Sequence, residues 1–178
     1  MRILARAKHC MYKLTVHFYN PKNDKDGVWN KIVSYVDPPY CHCELEFADA
    51  RSCAVYMGGV VHLKTRTFDP ANYDSLQYHC SPQQHARALA LAESLVASRQ
   101  TFSNRCMLAT KINLIGAPAG DSYTFCSKLC CQIMQAADVL SPDVDAQRVT
   151  PSGLHAMLAG RQHDREQPAV GVVDFLRI

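Results

Sequence analysis

Leu14, Val16 and Phe18 alternate with Thr15, His17 and Tyr19. That period of two predicts a half-buried β-strand. A polar stretch from Asn20 to Gly27 follows. Val28, Trp29, Ile32, Val33 and Val36 then fall at helical spacing, with Asp26 as a cap and Asp37-Pro38-Pro39 as the stop. Alternation resumes after Tyr40. Cys41, Cys43, Leu45 and Phe47 share one face of a strand, and His42, Glu44 and Glu46 share the other. Ala48 to Arg51 turns the chain, and Ser52–Met57 and Val60–Arg66 read as two further strands bent around Gly58-Gly59. Residues 41–66 therefore predict an antiparallel meander.

The segment carrying Tyr73 and Tyr78 reads as a loop. Ser81-Pro82-Gln83-Gln84 has the make-up of a helix start: a Ser cap, Pro in the first position and Gln in the third. Ala86 to Arg99 continues that helix. Gln100 to Asp121 is irregular, with Gly116, Pro118 and Gly120 ahead of a second helical pattern. In it, Cys126, Leu129, Cys130, Ile133, Ala137 and Leu140 form one apolar stripe. Ser122 or Thr124 is placed to cap its start. Ser141-Pro142 breaks the chain, and Thr150-Pro-Ser-Gly-Leu154 opens a short helix that stops near Gly160. Arg161 to Glu166 reads as a solvated loop, and Val170 to Ile178 as a last strand. The fold class is α+β, and the chain shows no internal repeat or low-complexity segment.

Composition narrows the classes. With 178 residues, 48% hydrophobic and 20% charged, the chain suits one globular domain, assigned to residues 14–178. Residues 1–13 form a basic arm without acids. It reads as a solvated terminus, the alternatives being a contact with a partner or phosphate backbone, or a short organelle presequence. A net charge of +3 is too small to argue for nucleic-acid binding. No apolar run approaches the ~20 residues of a membrane span. The 9 cysteines are odd in number, and Cys41/Cys43 and Cys130/Cys131 sit side by side. That is unlike a spaced disulfide framework, and no secretory apolar segment precedes them. The expectation is a reduced, intracellular protein with mostly free thiols.

Cys126 falls in the first turn of its helix, where the dipole favours a thiolate, and the thiolate is the nucleophile. On position alone, a cysteine on an apolar stripe reads as a small core hydrophobe. A nucleophile needs a base, and the base an orienting group. Of the 8 histidines, His42 is best placed, in mid-strand, though 84 residues from Cys126 in the chain. Zinc is the competing chemistry for so many Cys and His residues. However, the chain has no Cys-x-x-Cys pair, and Cys41-His42-Cys43 splits its side chains across two faces. No metal or cofactor is expected.

His42-Cys-Glu-Leu-Glu-Phe47 on a strand, then a meander, Thr124-Phe-Cys-Ser-Lys-Leu129 at a helix start, and Thr150-Pro-Ser-Gly-Leu154 together resemble the circularly permuted papain-like fold. This is the NlpC/P60 superfamily, which includes lecithin–retinol acyltransferase-like proteins and the YiiX/poxvirus-type hydrolases. The likeness is greatest to versions encoded by large DNA viruses. It spans residues 14–158 on three short motifs. It implies an antiparallel meander sheet packed against the cysteine-bearing helix and a second helix, with Cys126 as nucleophile and His42 as base. His62, in Val60-Val61-His62-Leu63, is the first choice for the third polar residue, although its distance in sequence from His42 is longer than is typical of the family. A core-packing role is the other reading of His62. Glu44 is the fallback: it shares a face with His42, but same-strand neighbours sit about 7 Å apart. The N–H of Cys126 would be one oxyanion donor.

The implied activity is thiol hydrolysis through an acyl-thioester. The lack of a hydrophobic anchor favours a peptide or isopeptide bond over a lipid ester. Implied partners are a peptide or protein substrate and virion or capsid proteins, in the host cytoplasm or the virion. The alternative is a virion-associated structural protein with an idle site.

Overall fold

The strand expected from Leu14 begins two residues earlier, as β1 (Tyr12–Tyr19). The computed structural model describes residues 11–21, 30, 34–35, 37–105, 107 and 123–166, the side chains of the last four excepted. Outside these residues lie most of the expected 28–36 helix and its Asp26 cap, the Ser122 cap and Gly116 to Gly120. The first ten residues of the basic arm and the strand expected over 170–178 also lie outside them. Lys13, at the end of the expected arm, is part of β1.

The meander forms as expected: β2 (His42–Glu46), β3 (Arg51–Ala54) and β4 (His62–Thr65) pair antiparallel in turn. The turn between β3 and β4 contains Gly58 at φ +74°, a left-handed conformation that a side chain would strain. The reading of residues 73–80 as a loop is corrected, because Tyr73–Cys80 is a full strand, β5. Its inward positions begin with a polar residue, Asp74, before Leu76, Tyr78 and Cys80, and this blurs the alternation. Tyr40 donates a hydrogen bond to the Asp74 carboxylate at 2.5 Å, which gives the inward charge a partner.

The sheet order is β4-β3-β2-β1-β5, so β1 lies between β2 and β5. β4 and β5 are consecutive in the chain but stand at opposite edges. Crossing the sheet between them spans about 19 Å at the usual strand spacing, and seven extended residues reach about 23 Å. The connecting segment 66–72 must therefore run over a sheet face, and there Phe68 stacks on His17 with ring centroids 3.7 Å apart. For this reason β1 is not half-buried: Thr15 and His17 are buried along with the strand's apolar side.

The other face carries the helices. α1 (Pro82–Ala97) starts with the expected capping box, Ser81 and Gln84 each bonding the other's backbone. α2 (Cys126–Ala136) is buried on nearly every side, so the stripe from Cys126 to Ile133 is only part of its apolar contact. Leu140, expected on the helix, follows it and is buried all the same. A single 3-10 turn (Ala146–Arg148) leads to α3 (Pro151–Glu166).

α3 runs past Gly160, where a stop was expected, and takes in all of Arg161 to Glu166, which was expected to be a solvated loop. A mid-helix glycine costs about 1 kcal/mol. Tertiary anchors on either side offset this: Tyr78 donates to the Leu158 carbonyl at 2.6 Å and Arg161 to the Val139 carbonyl at 2.8 Å. One buried cluster, including Leu14, Phe18, Leu45, Leu129, Ile133 and Leu154, joins sheet and helices.

Candidate active site

α2 begins without the expected cap. Phe125 is the N-cap residue, extended at φ −148° and ψ 166°, and no side chain bonds the first turn. The Thr124 hydroxyl bonds the Phe125 carbonyl instead, at 3.4 Å. Phe125 is held in place by packing with Cys41 and Met107. The opening N–H groups of α2, which have no partners within the helix, are thus left without a side-chain cap at Cys126. Cys126 itself is 3% exposed.

His42, the first residue of β2, reaches the same point from the sheet, and it lines one cleft with Cys126. Its Nε2 faces Glu44 Oε1 at 3.5 Å, an ion-pair contact. Burial alone would discharge the ring, but the sulfur charge and Glu44 outweigh it and raise its pKa to about 10. The Cys126 thiol is shifted the opposite way, well below its ordinary value. The largest cause is a hydrogen bond from Cys43; burial opposes it, and the His42 charge adds to it. Both shifts point to a thiolate–imidazolium pair.

Glu44 is 1% exposed and well partnered. Arg66 donates to its Oε1 at 2.6 Å and Tyr56 to the same oxygen at 2.7 Å, while Ser52 donates to Oε2 at 3.2 Å. Burial works against the carboxylate, yet His42, Arg66 and Ser52 together hold its pKa below the usual carboxylate value. Arg66 also donates to the hydroxyls of Tyr56 and Tyr73.

Of the residues singled out in the sequence, Cys126, His42 and Glu44 come together. His62, the first choice for the third position, does not reach His42. Tyr56 stands between them, its ring 5.0 Å from His42 and 5.3 Å from His62. The His62 Nδ1 is 3.3 Å from the Val60 carbonyl. Glu44 makes the contact despite the strand spacing, because two long side chains on one face lean together and Arg66 and Tyr56 pin the carboxylate.

Arg66 and Tyr56 were not foreseen, although a signal existed. The meander register pairs Glu46 with Ser52 and Ser52 with Lys64, so positions 52, 54 and 56 and 62, 64 and 66 share the Glu44 face.

Cys126 and His42 line a cleft of about 350 Å³. Its other walls include Tyr19, Tyr56, Arg66, Tyr73 and Phe102. Among the described residues, no three of His, Cys, Asp and Glu are grouped to hold a metal ion, and the seven described cysteines are free thiols. No described helix is long and apolar enough to cross a membrane. No protein-family model matches the chain, and no curated protein or solved structure shows significant similarity to it.

Proposed function

We propose that this chain is a cysteine hydrolase of permuted papain-like architecture, with the histidine strand ahead of the cysteine helix. The observation that carries the reading is the meeting, in one cleft, of an uncapped helix-start cysteine and a strand histidine, the latter backed by a buried carboxylate. A cysteine that was only a core hydrophobe would have no use for any of these.

In the proposed reaction the Cys126 thiolate attacks a substrate carbonyl carbon. The charge that develops on the carbonyl oxygen is met by the N–H of Cys126 at the helix start. The His42 imidazolium gives its proton to the leaving nitrogen, and an acyl-thioester remains on Cys126. His42, now neutral, takes a proton from water as the water attacks the thioester. The acid product leaves and the thiolate–imidazolium pair is restored. Glu44 keeps the ring oriented and its charged form favoured. The substrate class is a peptide or isopeptide bond.

Two experiments test this. The first is labelling with iodoacetamide, read residue by residue by mass spectrometry. Cys126 should react far faster than the other thiols at neutral pH, at a rate that stays nearly flat from about pH 6 to about pH 9 because the thiolate is already formed. His42→Ala should remove that advantage. The second is turnover of a panel of peptide, ubiquitin-like isopeptide and acyl-ester substrates, which Cys126→Ala should abolish. Uniform slow labelling together with no turnover would leave a scaffold protein.

A further inference from the structure

Pinning Glu44 occupies only part of Arg66. A guanidinium is always charged and carries five N–H donors in a planar fork. Nη1 donates to Glu44 Oε1 at 2.6 Å and to the Tyr56 hydroxyl, and Nη2 donates to the Tyr73 hydroxyl at 2.7 Å. These bonds leave the Nε–H and one Nη2–H open, and Arg66 has no further hydrogen-bond partner among the described residues. The open donors sit on two nitrogens that share Cζ, a spacing that a carboxylate spans with its two oxygens. Arg66 lines the same cleft as Cys126 and His42. Its side chain is 36% exposed, whereas that of Glu44 is 1% exposed, so a molecule in the cleft can reach the guanidinium but not the carboxylate behind it. The ring centroids of Tyr56, Phe68 and Tyr73 lie 5.8, 5.2 and 5.6 Å from Cζ and hold the group in place before anything binds.

Resting on the reading of Cys126 as nucleophile, we propose that Arg66 is a specificity-determining residue that binds a carboxylate of the peptide substrate through its Nε–H and its open Nη2–H. Among the described lining residues it is the one permanent cation, since the charge of His42 changes during the reaction. The walls formed by Tyr19, Tyr73, Phe102 and Met107 carry no charge to compete with it. Glu44 already balances the charge of Arg66, so attraction at a distance is small. The preference depends instead on the carboxylate reaching the two open donors. Arg66 contacts Glu44, which in turn contacts His42. The bound carboxylate therefore lies several bonds from the carbonyl carbon under attack, and the length of the spacer between them decides the fit.

The test is alkylation of Cys126 in the full chain by maleimidoacetate and its longer homologues, each paired with its neutral amide and followed by mass spectrometry. At one spacer length the acid should label Cys126 about tenfold faster than its amide, and other lengths should lose this advantage. Arg66→Lys keeps a charge beside Glu44 but removes the two open donors, and it should lower the ratio at that length about tenfold. A guanidinium that only held Glu44 would change the acid and amide rates alike. A ratio that is the same at every length, or that Arg66→Lys leaves unmoved, overturns this inference alone. Cys126 reacting with the amides no faster than the other thiols overturns the nucleophile reading and this inference with it. Should Arg66→Lys not fold, modification of the wild type by phenylglyoxal, an arginine reagent, takes its place. Arg66 should be protected when Cys126 carries the preferred acid and not when it carries the amide, and equal modification overturns the proposal. In the peptide panel, a preference for Glu over Gln puts the carboxylate on a side chain, and a preference for a free over an amidated end puts it at the terminus. No preference in either pair overturns the proposal.

Discussion

His17 leaves β1 opposite the helices, its Nδ1 2.8 Å from the Ser75 hydroxyl and its Nε2 3.5 Å from Glu46 without a hydrogen bond. Burial is the main reason its pKa falls from 6.5 to about 4. The folded protein therefore holds this ring neutral where the unfolded chain would protonate it. Between those two values the unfolded state binds more protons, so stability falls as the pH falls from 6.5 to about 4 and does not change further on this account below that. The loss is at most about 3 kcal/mol, and nearer 2 kcal/mol once solvent screening is allowed for. Urea midpoints measured across this range should show it, and His17→Phe, which keeps the stacking on Phe68, should flatten the slope. The sequence pattern, with the family resemblance, marked Cys126 and His42 as candidates. It could not tell Glu44 from His62, because that choice depends on where Arg66 and Tyr56 hold a carboxylate.

The two helix starts contrast at the level of the element. α1 carries a reciprocal capping box that was legible in four consecutive residues, because every partner is local. Ser81→Ala should cost about 1 kcal/mol, seen as a lower melting temperature with the site chemistry unaffected. α2 lacks such a cap and is held by burial instead, with Phe125 packed and Ser127 donating to the Val149 carbonyl at 2.7 Å. The cap expected from Thr124 failed because that hydroxyl turns to a carbonyl. β5 was missed for a related reason: its inward Asp74 is paired by Tyr40, 34 positions away, a partner that no local pattern reveals.

The whole molecule is joined by contacts between distant segments. The 66–72 crossing brings Arg66 to Glu44 and Phe68 to His17, covering a face that would otherwise be open to water. α3 is tied back to β5 by the Tyr78 hydroxyl on the Leu158 carbonyl, a contact across 80 positions. Tyr78→Phe should therefore cost about 1 kcal/mol, or about 2–4 °C in melting temperature for a chain of this size. Amide exchange should also speed up in α3 before α1, since the lost bond anchors only the former.

Interactions within a few residues can be read along the chain: the β1 alternation, the 41–66 meander, the Ser81 capping box and the cysteine stripe. Each follows from a backbone period or a neighbouring partner. The traverse of the sheet between β4 and β5, the covering of His17, the extension of α3 past Gly160 and the joining of His42 and Glu44 with Cys126 depend on segments meeting in space. Their energies come from burial and from charges facing one another, and neither exists until the chain has folded.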